Sequence, residues 1–416
     1  MTQTSADLMT HRDAAAAPQT TTGGPAPAGG VAAGRSLSRQ LAGQVLSRWG
    51  ARAGMAWVGL LVVLAVLAPV LANSHPFVMT TRDGTTRSPW LAHLSVADWT
   101  LFAAAAAAAV LLALRRVRAG VRLAIFAAVT LAAGVIAGAL VTEKFPSLDA
   151  YRAGVHSGEI TRVVFPPIPY SPDDRQRDVR DARLQRPSAA HWFGTTGSGA
   201  DLASNMIHAT RIALSIGFIS TGIAIVIGVV VGGLMGYYAG WVDLVGMRLV
   251  EIFSAIPTLL LLLCFVAVFE PNLYLMMVII GLTSWEGYAV FTRAEYLSLR
   301  QRDFVQAAIA AGVPLRSVLF RHILPNGIAP VLISASFGVA SAILAESTLS
   351  FLGIGLGVDE ASWGKLLEDA RGVGGTFYWW LAIVPGGAIF LTVFAYNLVG
   401  EALRDALDPH TNRQRS

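Results

Sequence analysis

The sequence contains few charged residues. Asp, Glu, Lys and Arg make up 14% of its 416 residues, whereas a soluble domain usually carries about 25%. Hydrophobic residues make up 54%, which is enough apolar sequence for many membrane spans. The composition therefore indicates an integral membrane protein and excludes an ordinary soluble domain. The formal net charge of +5 is typical of a membrane protein with basic cytoplasmic loops, and we favour that interpretation over nucleic-acid binding.

Several kinds of chemical site are also missing from the sequence. Cys264 is the only cysteine, so no intrachain disulfide can form and no metal site of cysteine and histidine is predicted. There is no GxxxxGKS or GxxxxGKT phosphate loop, because Gly364-Lys365 is followed by Leu366. HExxH and GxSxG motifs do not occur either. We therefore predict no catalytic, metal-binding or cofactor-binding residue, disfavour a membrane enzyme, and expect Cys264 to be a small core side chain.

Eight apolar runs have lengths near the ~20 residues that cross a bilayer as a helix. They are Met55–Ala72, Trp99–Leu114, Leu123–Val141, Ile212–Met235, Leu249–Phe269, Leu273–Phe291, Ile328–Ser350 and Trp379–Gly400. The first run begins too far from residue 1 for a cleaved signal peptide, so we expect an uncleaved span. Pro257 lies inside the fifth run and is expected to kink it. The runs predict an all-α integral membrane protein built as a multi-span helical bundle.

Arginine clusters predict how these spans are oriented, because Lys and Arg accumulate in cytoplasmic loops. One cluster, at residues 35–52, precedes the first run, and another, at 115–122, separates the second run from the third. Residues 293–322 contain five arginines against two acidic residues. These positions predict about eight spans, both termini in the cytoplasm and residues 142–208 outside.

The stretch 303–325, DFVQAAIAAGVPLRSVLFRHILP, lies between two apolar runs but is itself polar in part. Small residues predict a short helix that ends near Gly312, since glycine takes positive φ without a Cβ clash. Pro314 suits the first turn of a second short helix. The stretch is thus predicted to form two short helices around a glycine elbow. It is either an ordinary amphipathic loop or a surface that a partner approaches closely.

The spacing of these residues resembles the EAA loop of ABC importer permeases. The matching pieces are Gln306-Ala307-Ala308, Gly312 and Leu324-Pro325. In that family the loop docks into the ATPase subunit, and its first residue is normally Glu rather than Gln306. The resemblance implies that the docking residues here are Gln306, Ala307, Ala308, Gly312, Arg316, Arg321, Leu324 and Pro325.

The resemblance extends over residues 191–409, which are similar to the second permease subunit of dipeptide and oligopeptide importers. The matching segments are 236–243, 321–326, 344–353 and 403–409. Residues 165–171 resemble a segment of the microcin-type branch. Phe193–Asp201 resembles the family's GTDxxGRD segment, but Thr196 replaces its Asp and Ala200 its Arg. Any contribution of those two charges is therefore missing from this subunit.

The resemblance implies a type I ABC permease core with an extra N-terminal membrane hairpin, in a bacterial plasma membrane. The predicted segments are a disordered cytoplasmic tail at 1–53, three N-terminal spans at 54–141, an extracytoplasmic segment at 142–208, the transporter membrane domain at 209–405 and a cytoplasmic tail at 406–416. The implied function is to form the translocation path for peptides or a peptide-like solute delivered by a binding protein.

The implied partners are a second homologous permease, two ATPase subunits that bind the ATP, and an extracytoplasmic solute-binding protein. The alternative is a stand-alone secondary transporter, which would be expected to show inverted repeats; we find no convincing repeat. The sequence does not choose among dipeptides, oligopeptides, microcin-like peptides, nickel and glutathione as solutes.

The seventh apolar run carries small and polar residues at steps of three and four, which place them on one helix face. They include Ser334, Gly338 and Ser341. Such a face permits close helix packing in lipid or lines a polar path; the resemblance implies that this helix borders the translocation path. Glu346 is a carboxylate deep in the same run. It has either a functional role in the path or a structural one through hydrogen bonds to nearby serines or backbone groups.

Overall fold

The computed structural model describes residues 43–407 apart from 115, 116, 118, 142–149, 177, 178, 180, 270, 271, 358, 359 and 372–375. The predicted tails lie mostly outside these residues, as do three arginines of the 115–122 cluster, Arg115, Arg116 and Arg118. The first span begins earlier than predicted, since its helix starts at Trp49, and the last helix continues to Leu407.

The helices of the described chain follow in order. They are α1 Trp49–Leu71, α2 Pro89–Ala92, α3 Val96–Ala113, α4 Ala119–Leu140, α5 Ala150–His156, α6 Leu202–Tyr238, α7 Gly240–Ala255, α8 Thr258–Val268, α9 Leu273–Leu282, α10 Glu286–Leu299, α11 Asp303–Ala310, α12 Leu315–Ser317, a π-helical turn Val318–Ile323, α13 Leu324–Gly327, α14 Ala329–Phe351, α15 Trp363–Glu368 and α16 Trp379–Leu407.

Six of these helices are long and apolar enough to cross a membrane: α1, α3, α4, α6, α14 and α16. Two further spans are possible if each of two bent pairs crosses as one. The pair α7 and α8 is bent by 82° at Ile256 and Pro257, which confirms the predicted kink. The pair α9 and α10 is bent by 43° in a stretch without proline. The eight predicted runs thus correspond to six continuous helices and two broken ones.

The membrane part is helical, as predicted, but a small sheet that the sequence did not predict lies beside it. Strands β1 Val78–Thr81, β2 Thr86–Arg87 and β3 Ile160–Val164 form an antiparallel sheet in the order β2-β1-β3. Met79 pairs with Arg87 on one side and with Val163 on the other. Strand β1 follows α1, and β3 follows α4 and α5. Because β1 and β3 pair in one sheet, the ends of α1 and α4 that lead to them lie on the same side of the bundle. An α3–α4 hairpin that crosses the membrane twice would give this arrangement.

Helix α6 is the central element of the bundle. It packs against α9, α10, α14 and α1. Its glycines permit the close approach of α10, because a Cβ at Gly228 would lie 2.8 Å from the Trp285 carbonyl oxygen and one at Gly236 would lie 2.6 Å from that of Arg293. Asp201 caps the helix by accepting a 2.8 Å hydrogen bond from the Ser204 backbone N–H. The helix therefore starts before the predicted end of the outer segment at residue 208.

The hairpin of α3 and α4 packs mainly on itself and touches α1. Its apolar side chains are largely exposed, as expected for helices that face lipid. Cys264 is also exposed, on α8, so the prediction of a core side chain is wrong. The bend at Pro257 sends α8 away from the axis of α7, and this face of α8 is left without a neighbour among the described residues.

Candidate functional site

Residues 303–325, which we call the docking loop, fold as two short helical segments around Gly312. Helix α11 ends in a Schellman motif: the Val313 N–H donates to the Ala308 carbonyl at 3.1 Å, and the Gly312 N–H donates to the Ile309 carbonyl at 3.0 Å. Gly312 has a φ of +72°, which confirms the predicted elbow. Pro314 precedes α12 as its N-cap, one position earlier than expected.

The docking loop has a small core of its own. Val305 of α11 packs with Val318 and Ile323 of the π-helical turn. Tyr296 of α10 joins this core, and its hydroxyl donates to the Leu319 carbonyl at 3.0 Å. The loop is therefore fixed to the end of α10 rather than hanging free.

Ala308 belongs to the buried side of α11, with 8% of its surface exposed. The expectation that both alanines form the partner-facing surface is thus wrong for Ala308. It lies three residues after Val305, so the two side chains share one helix face and turn toward the loop's interior. Ala307 is exposed and remains on the outer face.

The outer face of the docking loop combines apolar and basic side chains. Of the predicted docking residues, Gln306, Ala307, Gly312, Arg316, Arg321 and Pro325 are exposed, whereas Leu324 is half-buried. The sequence analysis missed four exposed apolar side chains, Phe304, Ile309, Leu315 and Phe320. Helical periodicity could have identified them, because they are the large apolar residues that do not fall on the inner face with Val305, Val318 and Ile323.

Gln306, which replaces the family's Glu, has a partner within the chain. Its Nε2 donates to the Arg300 carbonyl at 2.8 Å. Arg300 in turn donates through Nη1 to the Tyr237 carbonyl at the end of α6, at 3.0 Å. An ion pair nearby joins α7 to α10: Arg293 Nη2 donates to Asp243 Oδ2 at 2.6 Å. The first two contacts connect the docking loop to the ends of α10 and α6, and the ion pair joins α10 to α7 in turn.

A cleft of about 540 Å³ opens among α6, α8, α9, α10 and α14, and we call it the central cleft. Its lining residues are Ser220, Thr221, Ala224, Thr258, Leu259, Leu262, Ile280, Ser284, Tyr288, Gly338, Ser341, Ala342, Leu344, Ala345 and Thr348. Many of them carry hydroxyl groups, and none of these fifteen is charged.

Of the four residues predicted to border a translocation path, Gly338 and Ser341 line the central cleft. Ser334 contributes only its backbone carbonyl, which accepts from the Tyr288 hydroxyl at 3.4 Å. Glu346 points elsewhere: it is buried, and its carboxylate accepts from the Ser350 hydroxyl at 2.7 Å and from the Ser347 hydroxyl at 3.4 Å. These contacts support the structural interpretation of Glu346. The sequence analysis overlooked a second carboxylate in an apolar run, Glu286, at the bend between α9 and α10.

Thr196 and Ala200, which depart from the family pattern, are the buried ends of a tight turn whose middle residue Ser198 is exposed. The Thr196 N–H donates to the Ala200 carbonyl at 2.9 Å, and the Ala200 N–H donates to Thr196 Oγ1 at 3.2 Å. Asp369 accepts a hydrogen bond from the Gly197 backbone, and burial raises the pKa of its carboxyl. Thr196 and Ala200 thus close a tight turn by themselves.

A histidine pair lies in the region between α1 and α5, outside the spanning helices. The ring centroids of His75 and His93 are 4.1 Å apart, and Tyr151 approaches His75 edge-on at 5.4 Å. His75 Nδ1 is 2.8 Å from Asn73 Oδ1. Burial and, to a lesser extent, the neighbouring His93 lower the pKa of His75 from 6.5 to about 4, while Asp174 opposes the change. His75 is therefore neutral near pH 7.

A buried ion pair, which the sequence analysis did not predict, fastens α3 to the core. Arg211 of α6 donates through Nη1 to Asp98 Oδ1 at 2.5 Å and through Nε to the Ala65 carbonyl at 2.6 Å. Asp98 also closes a capping box with Ser95 at the start of α3. The two residues are 113 positions apart in the sequence, and only the fold brings them together.

The docking loop lies within the part of the chain that matches known proteins. Residues 228–413 match the family described as binding-protein-dependent transport system inner membrane component. The dipeptide transport system permease protein of Alkalihalophilus pseudofirmus is 37% identical over 227 residues, which are 55% of this chain and 74% of the relative. The chain belongs to this permease family. The oligopeptide transport system permease protein of Haemophilus influenzae is 40% identical over 219 residues, 53% of this chain and 70% of the relative.

Among solved structures, a chain of an inward-facing methionine ABC transporter has a TM-score of 0.39 and 16% identity, covering 49% of this chain and 97% of that one. By its relatives, the protein is a membrane-spanning permease subunit of an ABC importer, and the alternative of a stand-alone secondary transporter is wrong. It is a multi-pass inner-membrane protein. Membership in the family implies translocation, with ATPase and binding-protein partners and a second permease.

Proposed function

We propose that the permease forms, together with a second homologous permease, the translocation path of an importer for peptides or a peptide-like solute. The names of its relatives support this solute class: they are permeases of dipeptide and oligopeptide transport systems, and a 37% identical relative from Pectobacterium atrosepticum belongs to a glutathione transport system. An extracytoplasmic binding protein would deliver the solute, and two ATPase subunits would bind and hydrolyse ATP. No cofactor or metal is proposed for this chain.

The observation that carries the proposal is the outer face of the docking loop. Phe304, Ile309 and Phe320 are exposed there beside Arg316 and Arg321. Exposed apolar side chains grouped on a partly basic surface are typical of a protein-binding site. We assign this face to the ATPase. Closure of the ATPases would displace the loop, and the contacts to α6, α7 and α10 would pass that displacement to the helices around the central cleft.

Substitution of one exposed aromatic residue tests the docking assignment. Phe320→Asp should abolish co-purification of the ATPase subunits with the permease, since a charge replaces an apolar contact. Phe377→Asp is the matched control, because Phe377 is also largely exposed but lies beyond α15, far along the chain from the loop. Equal loss of the ATPase in both variants, or in neither, would remove the assignment.

The proposed orientation places both termini and the docking loop in the cytoplasm and the sheet outside, with eight spans. In a Cys264→Ser background, an impermeant thiol reagent added to intact cells should modify Glu159→Cys but not Gln301→Cys. Both positions are exposed in the structure. Modification in the opposite pattern would reverse the topology. The solute itself can be identified by mass spectrometry of the ligand that co-purifies with the binding protein.

A further inference from the structure

The central cleft contains two buried hydroxyl groups that make no hydrogen bond to the described residues, Ser220 Oγ and Thr221 Oγ1. Ser220 is 1% and Thr221 5% exposed, and both line the cleft from the middle of α6. Buried hydroxyls in proteins are nearly always paired. Elsewhere in the same helix Thr210 bonds to the Met206 carbonyl at 3.0 Å, as helical threonines commonly do. The two hydroxyls therefore have unused hydrogen-bonding capacity beside the cleft, which a solute would meet as the surrounding helices move apart.

The chemistry of the lining specifies what that partner is. A hydroxyl group can both donate and accept a hydrogen bond, which matches the N–H and C=O of an amide. None of the fifteen lining residues is charged, and a charge placed away from water needs an opposite charge to be stable. The lining is suited to a neutral amide group and contains no charged residue that would pair with a cationic side chain.

The opposite wall keeps the cleft narrow and partly apolar. The Tyr288 hydroxyl reaches across to the Ser334 carbonyl at 3.4 Å, and this is possible because Gly338 has no Cβ, which would collide with that hydroxyl. Leu259 and Leu262 of α8 provide apolar contacts. In a peptide with uncharged side chains, the backbone amides would bond to the hydroxyl groups and the side chains would pack against the leucines.

We propose that Ser220 and Thr221 form a subsite that hydrogen-bonds a neutral backbone amide of the solute as it passes. The permease itself then discriminates against solutes with charged side chains, in addition to any choice made by the binding protein. The inference rests on the proposed function and names a part of the same path.

Uptake of two tripeptides by cells that carry the whole importer tests the subsite. Trialanine has no charged side chain and trilysine has three, while both peptides carry the same ionised termini. Ser220→Ala and Thr221→Val should each lower trialanine uptake about two- to tenfold, the effect of one hydrogen bond. Thr292→Val is the matched control: Thr292 is equally buried and its hydroxyl also makes no hydrogen bond to the described residues, but it does not line the cleft.

A fourth variant tests the charge selectivity. Ser341 is exposed on the cleft wall, so Ser341→Asp introduces a carboxylate without overpacking. It should shift the trialanine-to-trilysine uptake ratio about tenfold toward trilysine. The binding protein is the same in every strain, so a changed ratio comes from the permease.

The outcomes separate the subsite from the proposed function. If the wild type takes up neither tripeptide, the proposed solute class falls and the subsite with it. If the wild type takes up trialanine but Ser220→Ala and Thr221→Val behave like it, or Thr292→Val is equally impaired, only the subsite is refuted. An unchanged ratio in Ser341→Asp refutes the charge selectivity.

Discussion

Removal of the Asp98 carboxylate should detach the N-terminal hairpin from the core more effectively than any other single change in α3. The side chains of Arg211 and Asp98 are mostly buried, at 14% and 9% exposure. In Asp98→Ala, Arg211 keeps only its bond to the Ala65 carbonyl. Its Nη2 already lacks a partner among the described residues, so the variant leaves a buried cation without an anion.

The magnitude follows from two contributions. Breaking a buried ion pair by removing one partner destabilises a protein by about 3–5 kcal/mol. Asp98 Oδ2 also accepts from the Ser95 N–H at 2.8 Å, and loss of this half of the capping box adds about 0.5–1 kcal/mol. The sum, on the order of 4–5 kcal/mol, is a large part of the roughly 5–15 kcal/mol that stabilises a typical folded domain.

Two matched variants separate charge from packing. Asp98→Asn keeps an acceptor for Arg211 and should lose about half as much stability, since a neutral acceptor gives a weaker bond. The double variant Asp98→Leu with Arg211→Met removes both charges and should recover most of the loss, because a buried pair can be replaced by apolar residues at little cost.

The assay is thermal unfolding of the four purified proteins in one detergent, together with limited proteolysis between α4 and α5. The expected order of midpoints is wild type, double variant, Asp98→Asn, then Asp98→Ala, with the fastest cleavage in the last. If Asp98→Ala unfolds like the wild type, or the double variant is less stable than Asp98→Ala, the pair does not hold the hairpin as the geometry indicates.

Three further predictions concern the docking loop and the outer region. Gly312→Val should reduce solute-stimulated ATP hydrolysis while the protein still inserts, because a β-branched residue at a φ of +72° is strained by about 1–2 kcal/mol; normal coupling would contradict this. Ala308→Trp should abolish transport because the loop core has no room for it, whereas Gln306→Glu should lose only one bond and stay near normal; uptake assays that rank them the other way would refute the packing account. Acidification should loosen the sheet next to His75: its pKa of about 4 lies below the 6.5 of an unfolded histidine, so the stability that the neutral ring contributes is fully present above pH 6.5 and is lost as the pH falls toward 4, by roughly 3 kcal/mol. Hydrogen exchange at pH 5 should be faster in the wild type than in His75→Phe, and His156→Phe, at an exposed histidine, should match the wild type.

The helices were predictable because apolar length and helix breakers act locally. Pro257 removes a backbone donor wherever it stands, and Gly312 suits a helix end whatever surrounds it. The sheet was not predictable in this way. Its strands have two to five residues. Strand β3 pairs with β1, which precedes the α3–α4 hairpin in the sequence, so no local pattern predicts the pairing.

The side chains of the candidate sites also divide into those that local sequence predicts and those that only tertiary packing brings together. The face that holds Gly338 and Ser341 follows from helical periodicity, and the structure places both at the cleft. Periodicity also places Ala308 beside Val305 on the inner face. The resemblance to the EAA loop instead grouped Ala307 and Ala308 as one docking surface. The partners Asp98 and Arg211 are 113 residues apart, and a contact of that kind depends on tertiary packing alone.

Helix α6 connects the regions to which we assign function. Its first turn is capped by Asp201 next to the outer turn, its middle presents Ser220 and Thr221 to the central cleft, and its last turn offers the Tyr237 carbonyl to Arg300 beside the docking loop. A helix of 37 residues is about 55 Å long at 1.5 Å per residue. The described residues of α6 include no proline and no break, so a displacement at its Tyr237 end tilts the whole rod. In the orientation that we propose, the same movement would change both access to the cleft and the position of the turn Thr196–Ala200, so that a loop on one side of the membrane would control entry from the other.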